Sequence, residues 1–144
     1  MKTLCIEARQ ERLQEVLDFL DAFLKEADCP PKAQMQLEVA LEEMFVNIAQ
    51  YAYETTSVPE AEQLVELSVC SIESGGIRYA QVRLCDRGIP YDPLAKVDPD
   101  TTLSAEERPI GGLGIYMVKK SMDHVNYEYR DGQNIFTMEK RYKG

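Results

Sequence analysis

The sequence predicts an α+β, two-layer fold, in which a mixed, largely antiparallel sheet is covered on one face by helices. Three observations predict it. Short runs with period-two alternation stand next to one another in pairs, as hairpins do. Amphipathic stretches with helical spacing lie between and before these pairs. A chain of 144 residues, 44% hydrophobic, suits one domain with a real core.

Each element has its own signal. Leu4, Ile6 and Ala8 alternate with polar or small neighbours and read as a first strand, Lys2–Ala8, short enough for a sheet edge. Leu13, Val16, Leu17, Leu20, Phe23 and Leu24 follow helical spacing. Pro30-Pro31 suits the start of a second helix, where a missing N–H costs nothing. Leu37, Leu41, Met44, Ile48 and Ala52 form that helix's apolar face, and it is expected to end near Tyr53. Val65, Leu67 and Val69 form one alternating run, and Ala80, Val82 and Leu84 another, with a turn at Ser74-Gly75-Gly76. From Asp86 to Pro109 periodicity disappears and prolines accumulate, which marks a functional or mobile segment. Helical spacing resumes after Gly114 through Ile115, Val118 and Met122. Two strands follow, around Val125–Tyr129 and Ile135–Arg141, joined at Asp131-Gly132. The order is β-α-α-β-β-loop-α-β-β.

Charge and cysteine usage narrow the function classes. The net charge of −9 and pI of about 4.7 disfavour a nucleic-acid partner, because a phosphate backbone is repelled by most of such a surface. No apolar run reaches the roughly 18–20 residues of a membrane span, and the N-terminus turns polar by Glu7. The expected location is cytoplasmic, with no membrane contact. Cys5, Cys29, Cys70 and Cys85 form no C-x-x-C pair and His124 is the single histidine, so they read as free thiols in a reducing compartment.

Three constellations can carry chemistry. Glu43, Asn47 and Tyr51 are spaced i, i+4, i+8 on the second helix and share a face beside its apolar stripe. A carboxylate there can act as a base, and an amide oxygen suits Mg²⁺. Asp86 shares strand parity with Ala80, Val82 and Leu84, so it points to the core side at the strand's mouth and needs a donor. An adenine exocyclic amine is one candidate and a nearby backbone N–H is another. Gly88 permits close approach of a flat ring to the chain. Last, Gly111-Gly112-Leu113-Gly114 precedes a helix, where exposed N–H groups and the positive dipole end favour an anion. It is neither a P-loop, lacking G-K-[ST], nor a Rossmann fingerprint.

In this order the three resemble the GHKL ATPase family, which includes histidine-kinase catalytic domains. Glu43-x-x-x-Asn47 matches its N-box, Asp86-x-Gly88 its D-x-G box and Gly112-Leu113-Gly114 its second glycine box. Within that family the chain is similar to the small anti-sigma-factor serine kinases, in which Asp-x-Gly-x-Pro-aromatic-Asp-Pro recurs, as here in Asp86–Pro93. The resemblance implies the Bergerat fold, with ATP and Mg²⁺ as cofactors. It implies that Asn47 holds Mg²⁺, that Glu43 is the catalytic base, that Asp86 accepts from the adenine amine and that Gly88 lines the base. Tyr51, where many of these kinases carry His, would cover adenine. Gly111, Gly112, Leu113 and Gly114 would embrace the phosphates, with an ATP lid at about 97–109 and Arg108 near the terminal phosphate.

The function so implied is a serine-protein kinase in a partner switch. It would phosphorylate a STAS-domain anti-sigma-factor antagonist, with a sigma factor or another regulator as second partner. The dimers common among such kinases imply a homodimer. The alternative is a non-catalytic ATP-gated binding module, against which Glu43 counts, since a pure binder needs no base. A detached histidine-kinase catalytic domain is disfavoured by the placement of Glu43 four before Asn47, and by the lack of a preceding hairpin bearing a phosphoacceptor His.

Overall fold

The computed structural model describes residues 1–95 and 113–144. The expected lid at 97–109, with Arg108, Gly111 and Gly112, lies outside the described residues. Eight main elements follow one another: β1 (Lys2–Glu7), α1 (Leu13–Glu26), α2 (Pro31–Tyr51), β2 (Leu64–Ser74), β3 (Ile77–Asp86), α3 (Leu113–Ser121), β4 (His124–Arg130) and β5 (Gln133–Lys143). Short 3₁₀ turns at Gln10–Arg12, Glu60–Glu62 and Pro93–Ala95 punctuate the connections. Among the described residues no helix is long and apolar enough to cross a membrane.

The strands form one sheet in the order β1-β2-β3-β5-β4. All four pairings are antiparallel, so the parallel component allowed for by a mixed sheet is absent among the described residues. β1 lies at an edge, as its shortness suggests. Both hairpins have two-residue loops whose positive φ angles match the right-handed twist of the strands. The loops are Gly75-Gly76 (φ 58 and 81) and Asp131-Gly132 (φ 54 and 76).

Strand parity decides which residues enter the core. The row Ile6–Val65 and the rows Leu67–Leu84–Phe136 and Val69–Val82–Met138 run across the sheet on one face and are buried. Against them pack Val16, Leu20 and Leu24 of α1, Leu37, Leu41, Met44 and Phe45 of α2, and Ile115 and Val118 of α3. Helix α2 starts with Pro31 in its first turn, where the absent N–H would have had no intrahelical partner. It is the central helix, packed against both α1 and α3. Its C-terminal half therefore lies over the sheet where the inward rows of β3 and β5 end in polar residues.

Candidate functional site

The inward row of β3 runs Ala80, Val82, Leu84 and closes on Asp86, which is 5% exposed. The inward row of β5 closes on Asn134, 6% exposed, and register places it directly opposite Asp86. Asn134 Nδ2 donates to Asp86 Oδ1 at 2.9 Å, and Gly88 N donates to the same oxygen at 2.9 Å. Oδ2 accepts no hydrogen bond from another described residue. Of the two candidate donors, the backbone N–H is the one seen, at Oδ1. Burial raises the Asp86 pKa above the usual carboxylate value, while the donors Asn134 and Gly88 pull the other way.

Asn134 makes further bonds. Its Nδ2 also donates to Ile89 O at 2.8 Å, and its Oδ1 accepts from Tyr91 N at 3.1 Å and from the Tyr127 hydroxyl. Tyr91 N also reaches the Tyr127 hydroxyl oxygen at 3.2 Å. Burial raises the Tyr127 pKa, partly offset by that amide. Behind the site, the Tyr53 hydroxyl donates to Leu64 O at 2.6 Å and accepts from Arg87 N at 2.9 Å. The end of α2 is thereby tied to β2 and β3. Burial raises the Tyr53 pKa as well.

A cleft opens over Asp86. It holds about 500 Å³ of space, with its outer part open to solvent. Met44, Asn47, Ile48, Tyr51 and Ala52 of α2 form one wall. Leu84, Asp86, Asn134 and Phe136 form the sheet side, and Ile89, Tyr91, Pro93 and Tyr127 the rim. An apolar slot with a few convergent polar groups has the character of a small-molecule site. A flat base bearing an amino donor suits it, because Asp86 Oδ2 offers the matching acceptor between apolar walls. Asn47 is half-buried and lines the cleft, with no side-chain hydrogen bond to another described residue. One amide oxygen is a sufficient protein ligand for Mg²⁺ that arrives on phosphates, since this ion keeps water and phosphate oxygens in its shell.

The structure brings Asn47, Tyr51 and Asp86 into this one cleft. Tyr51 stays 53% exposed at its mouth, a position from which a ring can cover a bound base. Glu43 is exposed and stands one turn beyond Asn47, outside the cleft lining. It lies against the first turn of α3, and a Cβ placed on Gly114 would be 2.9 Å from Glu43 Cδ. Leu113 is the exposed first residue of α3. Gly88 is closely approached by the backbone and Cβ of Ala52, so helix-to-strand packing alone requires a glycine there.

Sequence reasoning missed Asn134, Tyr127 and Tyr53. For Asn134 the signal was present, because it heads the row Asn134, Phe136, Met138 just as Asp86 ends its own. Tyr127 shares parity with Val125 and could be placed on the core side in the same way. Nothing local marks Tyr53, whose role arises from strands that approach it in space.

A family model described as a histidine kinase-like ATPase domain matches residues 6–140. Over 61 residues the chain is 30% identical to a serine/threonine-protein kinase, BtrW, of Bordetella bronchiseptica. That match spans 42% of this chain and 43% of the relative. The fold is similar to that of the RsbU and RsbW domains of a Mycobacterium tuberculosis protein, with a TM-score of 0.60 and 14% identity. The likeness covers 100% of this chain and 33% of that one. It is also similar to a chain of the SiaB–SiaC complex from Pseudomonas aeruginosa, with a TM-score of 0.59, 16% identity, and coverage of 98% and 89%.

Proposed function

The chain belongs to the histidine kinase-like ATPase domain family, and from that premise we propose that it is a Mg-ATP-dependent serine-protein kinase acting in a partner switch. The observation that carries this reading is the alignment of three groups along one helix and one cleft. Asp86 offers a single open acceptor at the cleft floor, Asn47 lies above it on α2, and Glu43 stands one turn further beside the start of α3.

Each residue has a task. Asp86 Oδ2 accepts from the exocyclic amine of the base, and the apolar walls hold the ring. The side chain of Tyr51 covers the ring from the mouth. Asn47 would hold Mg²⁺ through its amide oxygen, and the first turn of α3, with Leu113 and Gly114, offers backbone N–H groups to phosphate. Mg-ATP, when bound, supplies the phosphoryl group and the cation that neutralises its charge. Glu43 takes the proton from a serine hydroxyl brought to it by a protein substrate, a contribution of about 10²–10⁴-fold in rate. The likeness to a serine/threonine-protein kinase supports phosphoryl transfer to a protein hydroxyl as the class of reaction. The motif resemblance supports a STAS-domain antagonist as the substrate, and a sigma factor or other regulator as the second partner.

The test is radiolabel transfer from ATP to a co-purified STAS-domain protein. Glu43→Gln keeps size and hydrogen bonding but removes basicity, so it retains ATP binding and loses transfer. Asn47→Ala loses Mg-dependent binding and transfer together. Transfer by Glu43→Gln at the wild-type rate would refute the mechanism. If the wild type transfers nothing to a partner it binds, an ATP-gated binding module is the better description.

A further inference from the structure

Strand β3 leaves the sheet one residue before its neighbour β2 does. The β2–β3 ladder ends on the pair Val65 and Asp86, and the next pair in that register would be Leu64 with Arg87. Leu64 is still part of the sheet, since on its other side it pairs with Glu7 of β1. Among the described residues no backbone bond joins it to Arg87. Between the two stands the Tyr53 hydroxyl, which donates to Leu64 O at 2.6 Å and accepts from Arg87 N at 2.9 Å.

A direct rung would span one hydrogen-bond length and draw the two strands together. The hydroxyl spans nearly two, and it satisfies both backbone groups while keeping them apart. A phenol can do this because one oxygen both donates and accepts. Tyr53 is 7% exposed, so the packing around it holds the ring in place. Burial raises its pKa, which keeps the proton that Leu64 O requires.

The path of β3 beyond this point makes the floor of the cleft. Parted from β2, the chain turns after Asp86 so that Gly88 N reaches Asp86 Oδ1 and Ile89 N reaches Ala52 O. Ala52 is the residue before Tyr53, so one short stretch at the end of α2 supplies both the hydroxyl rung and the backbone bond. Asn47 lies one turn before the end of that helix. The place of Asp86 relative to Asn47 is thus fixed in part by a hydroxyl outside the cleft lining.

We propose that Tyr53 is a positioning residue of the nucleotide cleft. Its hydroxyl replaces the next rung of the β2–β3 ladder, so that β3 leaves the sheet early and carries Asp86, Gly88 and Ile89 beneath the end of α2. The consequence for binding rests on the nucleotide reading of the cleft. The residue itself touches no ligand and acts through Asp86.

The experiment is calorimetric titration with Mg-ADP, well below the melting transition, together with amide hydrogen exchange at Arg87 and Ile89 followed by NMR. It compares the wild type with Tyr53→Phe, Tyr53→4-aminophenylalanine and Val69→Ala. The amino variant keeps the ring and the donor to Leu64 O and offers Arg87 N a poorer acceptor. Val69, 1% exposed, lies four residues along β2 from Val65, so its truncation destabilises the core away from this corner. A loss of stability alone leaves the affinity of molecules that stay folded unchanged. Tyr53→Phe is expected to bind ADP roughly 10-fold less tightly and to exchange the Arg87 and Ile89 amides faster. The amino variant restores part of both, and Val69→Ala melts lower but binds as the wild type does. If Tyr53→Phe fails to fold by circular dichroism, the amino variant decides, with a smaller loss in the same direction. Wild-type affinity in a folded Tyr53→Phe overturns the inference and leaves the nucleotide reading standing. An equal loss of affinity in Val69→Ala overturns it too, as does an Arg87 amide that exchanges as slowly in Tyr53→Phe as in the wild type. A wild type that binds no ADP overturns the nucleotide reading itself, and the positioning role with it.

Discussion

Gly88 rests against the backbone of Ala52 so closely that a Cβ added to it would stand 2.6 Å from the Ala52 carbonyl carbon. The next residue, Ile89, donates its N–H to the Ala52 carbonyl oxygen at 2.9 Å. The end of α2 and the exit of β3 are thus joined backbone to backbone beneath the cleft. The glycine of the Asp-x-Gly motif sets the distance between the wall that carries Asn47 and the floor that carries Asp86.

Gly88→Ala is therefore expected to destabilise the fold by about 1–3 kcal/mol, since rigid backbone and not a flexible side chain must move. Urea unfolding checks this. Gly75→Ala is the contrast: its Cβ would meet open space, and only its φ of +58 resists, at roughly 1–2 kcal/mol. Equal native affinity for ADP in Gly88→Ala would show that the helix-to-strand distance does not govern the cleft.

Asp86→Asn separates architecture from recognition. An Asn side chain can still accept from Gly88 N and Asn134 Nδ2 through its oxygen, but it turns a donor toward the cleft. ADP affinity is expected to fall by about 10–10²-fold, the worth of a hydrogen bond to a charged group. Stability moves the other way. The folded-state pKa of Asp86 is raised above 3.8, so its contribution is present below that value and lost as pH rises through the folded pKa. At pH 7 the variant is expected to melt at or above the wild-type temperature, with the gap closing toward pH 4. A lower melting temperature at pH 7 would contradict the burial argument.

Tyr53→Phe removes a hydroxyl that donates to Leu64 O and accepts from Arg87 N. Two partly buried backbone groups lose a partner, and the expected cost is about 1–2 kcal/mol in urea unfolding. An unchanged midpoint would mean that water replaces the hydroxyl without cost.

Gly114→Ala probes the contact with Glu43. The atoms a new Cβ would meet are the far end of an exposed, flexible side chain, which can swing aside, so stability should stay within about 1 kcal/mol of wild type. Displacing the carboxylate from the first turn of α3 is expected to lower phosphoryl transfer by up to about 10²-fold. Radiolabel transfer measured beside ADP affinity checks it. Wild-type transfer in Gly114→Ala would show that Glu43 acts from another position.

Much of the site was legible because it depends on short spacings. Glu43, Asn47 and Tyr51 lie one helical turn apart, and a helix of any context puts them on one face. Asp86 follows Leu84 by two, so strand parity alone sends it inward. The Gly75-Gly76 and Asp131-Gly132 loops carry their own turn chemistry.

By itself the sequence determined the elements, their order and the faces they bury, because each follows from contacts within a few residues. Tertiary structure alone decided that Asp86 meets Asn134, that Ala52 fills the space beside Gly88 and that Glu43 touches Gly114. Those contacts depend on the register between β3 and β5 and on how far α2 advances over the sheet. Register and helix placement are set by the packing of the whole core. A one-residue slip of β5 would send Asn134 to the opposite face of the sheet, while every local pattern in the sequence stayed the same.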